Sequence, residues 1–149
     1  MTVSALKAAK TMAQVLNWNV TNLELQKMLY IAHLFFLGRT GRPLINENFE
    51  AWDYGPVLPS LYRELKFFGS DTIMNVFSVK ELEESSEEYS ILKETAHHLK
   101  DFTAGQLVSI THHPKGAWYQ HYKPNIRNIV IDQESIKKEY KELYKNNDE

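Results

Sequence analysis

Apolar residues recur at helical spacing through most of this chain. Leu6, Ala9, Met12, Ala13 and Leu16 predict a first helix over about Ser4 to Leu16. Asn17, Asn19 and Thr21 break it, and Thr21 with Glu24 has the T-x-x-E form of a capping box, which opens a second helix. Leu25, Met28, Leu29, Ala32 and Phe35 form a stripe along that helix, widened by Ile31, Leu34 and Leu37. A helix apolar around so much of its girth belongs in the core. Gly38 is expected to stop it.

Further along, Gly41 and Pro43 mark a turn, and Phe49 to Tyr54 is short and aromatic. Pro59 suits the first turn of a helix to Phe68 that ends at Gly69. Ile73, Val76 and Phe77 are candidate anchors of an irregular stretch. A helix follows the acidic run Glu81 to Glu88 and ends near Lys100. Thr103 and Gln106 form a second capping box for a helix to Thr111. Asn128 to Ile131 is brief and β-branched, and is expected to pair with Glu50 to Trp52. Asp132 is the expected N-cap of a last helix carrying Ile136, Tyr140, Leu143 and Tyr144. The pattern predicts a mainly α fold: a compact single-domain bundle over residues 1–149, with about six helices and a minor β element.

Length agrees with one domain. A 17.4 kDa chain of 149 residues can bury about two thirds of its unfolded surface, enough for one core. Seventeen basic against 19 acidic residues give a net charge of −2, a poor balance for neutralising phosphates. The absence of Cys excludes disulfides and thiolate chemistry. No secretory leader and no apolar run of membrane-spanning length are present, so a cytoplasmic location is expected.

Three stretches could carry function. In Leu25 to His33, Gln26, Lys27 and His33 are expected on the wetter side of a core helix; the alternative makes Gln26 or His33 part of a polar site. In Phe49 to Tyr62, Gly55 and Pro56 make a stiff elbow beside Trp52, Tyr54, Tyr62 and Arg63. An extended backbone would point Trp52 and Tyr54 to one face, either as a buried corner or as a binding platform. In Leu107 to Trp118, the residues Thr111, His112 and Trp118 stand out. His112, His113 and His121 fit no recurrent zinc spacing. His112 with Glu50 or Asp53 would be the machinery of a small hydrolase, but no G-x-S-x-G elbow or G-K-[ST] phosphate loop accompanies them. The acidic run is either a solvated face or a surface that attracts a basic partner. A helix-turn-helix over Ser4 to Leu37 would need a recognition helix less apolar than this one.

Together these stretches resemble the Panacea domain, the phage-associated GepA-like family. The residues that carry the resemblance are L-Q-K-M-L-Y-I-A-H at Leu25 to His33, Pro43-Leu44, F-E-A-W-D-Y-G-P-V-L-P-S-L-Y at Phe49 to Tyr62, L-V-S-I-T-H at Leu107 to His112, and Trp118. The A-W-x-Y-G-P-V element is the most specific. The resemblance implies a mostly helical antitoxin of a prokaryotic or phage toxin–antitoxin pair. Such a protein binds a cognate protein toxin directly, without catalysis, cofactor or metal. Some members resemble adaptors that deliver a toxin to a cellular protease, which is the alternative. The implied partner-binding or motif residues are Gln26, Lys27, Tyr30, Trp52, Tyr54, Gly55, Pro56, Tyr62, Arg63, Thr111, His112 and Trp118. His113 departs from the family's usual acidic or polar residue, and the chain leaves no room for the extra DNA-binding domain of some members. Nucleic acid is therefore not the expected partner. A mixed-charge surface admits both monomer and homo-oligomer.

Overall fold

The second helix is the axis on which the rest is assembled. In a computed structural model that describes residues 2–145, it runs over Asn22–Thr40 as α2. Thirteen of its 19 residues are buried, including the polar Asn22, Gln26, Lys27 and His33; the last three, expected on a wetter side, lie inside because other segments pack over that face and supply their hydrogen bonds. The capping box forms as the sequence predicts: Thr21 accepts from the Glu24 N–H, and Glu24 accepts from the Thr21 N–H. Its end differs from the expectation. Gly38 lies inside the helix, and Gly41, in the left-handed region at φ 78°, is the true C-cap. Gly38 answers to packing instead. A Cβ built there would fall 2.2 Å from the ring of Tyr140.

Around α2 pack α1 (Ala5–Val15), α4 (Glu87–Leu99), α5 (Ala104–Thr111) and α7 (Gln133–Leu143), while α3 (Pro59–Leu65) packs on α1 and α6 (Ala117–His121) on α7. The fold is mainly α, as the sequence pattern predicts, with seven helices among the described residues. Short α6 was hidden by the Pro114 and Gly116 that precede it. Each longer helix has the side-chain cap its sequence offers. Ser4 caps α1, Ser86 α4, Thr103 α5 and Asp132 α7. After α3, a 3-10 turn over Lys66–Phe68 ends at Gly69, where φ is 58°. Of the expected loop anchors, Ile73 is buried and Phe77 stacks near Trp18, but Val76 is exposed. Glu88 is buried, so the acidic run is not wholly a solvated face. Lys10 ties that stretch to α1 through Glu81 and the Val79 carbonyl.

The β element is small. Strands β1 (Glu50–Trp52) and β2 (Gly55–Val57) form an antiparallel hairpin in which Trp52 faces Gly55. The expected pairing with the C-terminal segment is present. Ala51 N–H donates to the Ile129 carbonyl and Ile131 N–H to the Phe49 carbonyl, both at 2.9 Å. Gly38→Ala should destabilise the protein by about 1–3 kcal/mol, as overpacking in a core does; chemical denaturation measures it.

Candidate functional site

Four side chains on the buried face of α2 build the site from below. Gln26 grips the start of α3: its Oε1 accepts from the Leu58 N–H at 2.8 Å, and its Nε2 faces the Leu58 carbonyl at 3.4 Å. Lys27 is wholly buried and donates from Nζ to the Pro56 carbonyl at 3.0 Å. Tyr30 donates to Glu139 Oε1 at 2.7 Å, and the same oxygen accepts from the Ala117 N–H at 3.0 Å. His33 Nδ1 accepts from the Ile45 N–H, so the proton sits on Nε2 and is donated to Gln133 Oε1 at 2.8 Å. These residues occupy the polar positions of the Leu25 to His33 motif. Each clamps a segment that local pattern cannot link to α2.

Burial sets their electrostatics. Desolvation lowers Lys27 from 10.5 to about 7, with no carboxylate bonded to oppose it. It lowers His33 from 6.5 to about 4, against a smaller upward pull from Gln133. Burial raises Glu139, although the Ala117 N–H and the Tyr30 hydroxyl work the other way. Tyr30 is raised well above its ordinary value, first by burial and then by Glu139.

The hairpin is held on its flank by rings. His112, the C-cap of α5, stacks on Trp118 with centroids 3.7 Å apart and planes 9° from parallel. Trp118 stacks in turn on Tyr122 at 4.6 Å. Trp118 Nε1 donates to the Trp52 carbonyl at 2.7 Å, and the Tyr122 hydroxyl donates to Asp53. Gly55, at φ 119°, is required by both conformation and space. A Cβ there would meet Lys27 Cε at 2.8 Å and Thr111 Oγ1 at 3.1 Å. Nε2 of His112 is buried with no hydrogen-bond partner among the described residues. Burial lowers the His112 pKa, the Tyr54 backbone opposes that, and the Lys27 charge adds to it.

The structure therefore divides the candidate residues. Gln26, Lys27, Tyr30, Gly55, Pro56, Thr111 and Trp118 are buried, while Trp52, Tyr62 and His112 are half-buried. Tyr54 (70% exposed) and Arg63 reach solvent. Trp52 and Tyr54 do not share a face. The chain reverses at Asp53–Tyr54, and strand alternation does not carry through a turn. Trp52 instead packs edge-on against Tyr62 at 5.0 Å, and the Arg127 guanidinium lies 4.4 Å over its ring. Sequence reading passed over Arg127 and Glu139; their partners lie 75 and 109 residues away, and no motif marks either.

Among the described residues, His112 is hydrogen-bonded to neither Glu50 nor Asp53. Glu50 accepts from Trp52 Nε1 at 3.0 Å, and Asp53 is taken by Tyr122. Among the described residues, no group of three or more His, Asp or Glu side chains is placed to hold a metal ion. His113 and His121 are engaged separately, with the Lys115 N–H and with Ala117 and Asp132. Nor can α2 act as a recognition helix, because 13 of its 19 residues are buried. No described helix is long and apolar enough to cross a membrane.

A mainly α domain in which a buried polar helix face and a ring stack hold a short hairpin is thus the class of protein this site defines. Residues 25–119 match the family described as antitoxin SocA-like, Panacea domain, and the chain belongs to that family. Antitoxin SocA of Caulobacter vibrioides (strain NA1000 / CB15N) is 34% identical over 116 residues, 71% of this chain and 62% of that protein. The chain thus spans less than two thirds of that relative's length. No solved structure matches it.

Because Lys27 and His33 hold fewer protons folded than unfolded, both link stability to pH in the same direction. The His33 contribution is complete above 6.5 and is lost as pH falls through about 4. The Lys27 contribution is complete only above 10.5 and declines as pH falls towards 7. Unfolding free energy should therefore rise between about pH 7.5 and 9, by at most about 1.4 kcal/mol per pH unit. In Lys27→Met that slope should flatten, measured by urea denaturation at several pH values.

Proposed function

We propose that the protein is an antitoxin of a prokaryotic or phage toxin–antitoxin pair, acting in the cytoplasm. It neutralises a cognate protein toxin by direct contact, and the hairpin tip with its flanks is the contact surface. One observation carries this reading: the hairpin is fixed on several sides, yet Tyr54 at its tip is 70% exposed. A large ring held outward on rigid backbone loses little freedom on binding. Tyr, Trp and Arg are the residue types that dominate binding energy at interfaces; Trp52, Tyr62 and Arg127 bring all three together on a flank of the hairpin, and Tyr54 stands at its tip. Arg63 is exposed on α3 and belongs to the rim, where charge tunes the rate of encounter. The buried motif residues Gln26, Lys27, Thr111 and Trp118, with the half-buried His112, act by holding this surface in place. Membership of an antitoxin family and the likeness to antitoxin SocA support the reading.

The test is co-expression with the product of the neighbouring gene. Wild-type protein should co-purify with it and restore growth. Tyr54→Ala and Arg127→Ala should each weaken the complex about 30-fold or more, the loss typical of an interface hot spot. Their circular dichroism and melting temperature should stay near wild type. Unfolding of Tyr54→Ala would instead make that ring structural, and wild-type protein that neither binds nor protects would remove the proposal.

A further inference from the structure

The two long edges of the small sheet are treated differently. On the β2 side, side chains of α2 cover the backbone: Lys27 takes the Pro56 carbonyl, and Gln26 takes both polar groups of Leu58. On the other side, Asn128 to Val130 runs antiparallel to β1, and no described strand pairs with its outer edge. The bonds to β1 use the carbonyl of Ile129 and the N–H of Ile131. In an antiparallel pair, the N–H and carbonyl of Val130, between them, point away from β1, as do those of Asn128. No hydrogen bond reaches these groups among the described residues. Val130 and Ile126 are 43% and 44% exposed.

Unpaired strand edges attract further strands, and soluble proteins usually cover or blunt them. Here the edge is open and lies beside Trp52 and the ring of Arg127 contacts. We infer that Asn128 to Val130 is a strand-addition site: an extended segment of the protein partner pairs with this edge, carrying a carboxylate that meets Arg127. The inference rests on the proposed antitoxin reading and names how its partner engages.

Charge selects this occupant. Arg127 and Lys123 are exposed, and neither is bonded to a carboxylate among the described residues. The nearby carboxylates are already engaged, Glu50 by Trp52, Asp53 by Tyr122, and Asp132 by Ser135 and His121. Paired edge to edge, a second copy of this chain would bring the same cations to the joint, where Glu50, Asp53 and Asp132 are already engaged. A partner strand bearing an acidic side chain answers them and also satisfies the open backbone groups.

Val130→Pro tests the edge by removing its outward N–H while leaving the inward bonds of Ile129 and Ile131 in place. Against the product of the neighbouring gene, Val130→Pro should bind at least about tenfold more weakly, because a partner carbonyl loses its donor. Val130→Thr, which keeps the N–H, should bind like wild type. The amide of Val130 should also exchange with solvent more slowly in the wild-type complex than in the free protein, a readout that needs no variant. A complex that survives Val130→Pro with no change in exchange overturns the edge alone. Absence of any wild-type complex removes the antitoxin reading and the inference with it. A dimer of the isolated chain that Val130→Pro dissolves would assign the edge to self-pairing and overturn the inference.

Discussion

A polar group buried without a partner costs about 1–3 kcal/mol, and α2 buries several of them along one face. That requirement organises the molecule. Gln26, Lys27 and His33 each reach a segment that would otherwise be a loose connection: the start of α3, the exit of the hairpin, and the stretch after Gly41; Tyr30 reaches Glu139 of α7, which in turn holds the start of α6. Apolar packing alone would tolerate several registers of these segments against α2. Directional hydrogen bonds to particular backbone atoms allow one. Glu139 is the clearest case, because a single carboxylate oxygen serves both the Tyr30 hydroxyl on α2 and the first N–H of α6.

The hairpin depends on this arrangement at close quarters. Lys27 reaches the Pro56 carbonyl only because Gly55 has no Cβ in its path, and the same gap admits Thr111 from α5. The stack of His112, Trp118 and Tyr122 then closes the flank and delivers the indole N–H to Trp52. The motif residues that look most like a binding site in the sequence are thus largely its foundation. Those left outside are Tyr54, Arg63 and Arg127, together with the strand edge.

What could be read from the sequence was what local physics decides. Capping residues, the period of apolar positions and glycine after a helix located six of the helices, and β-branched residues located the segment that bridges to β1. Gly38 and Gly41 were the instructive failure. Both suit a helix end, and only the ring of Tyr140, 102 residues away, explains why the first is a packing notch. The facing of Trp52 and Tyr54 was misjudged because a two-residue reversal cannot be told from a continuing strand by spacing alone. Glu88 was read as solvated from the company it keeps in sequence, yet it faces inward. Partners of the α2 polar residues were invisible for the same reason, since a sequence of apolar stripes records burial and not who meets whom.

The span of the clamps has a consequence for synthesis. Tyr30 and His33 find their partners 109 and 100 residues later, in α7. Until those codons have been translated, the axial helix carries unanswered polar groups, and its groove for the last helix stands open. Chains emerge from the ribosome at about 5–20 residues per second, so α2 waits on the order of 5–20 seconds after its own synthesis for these partners. The axial helix is fully partnered only once α7 has been made.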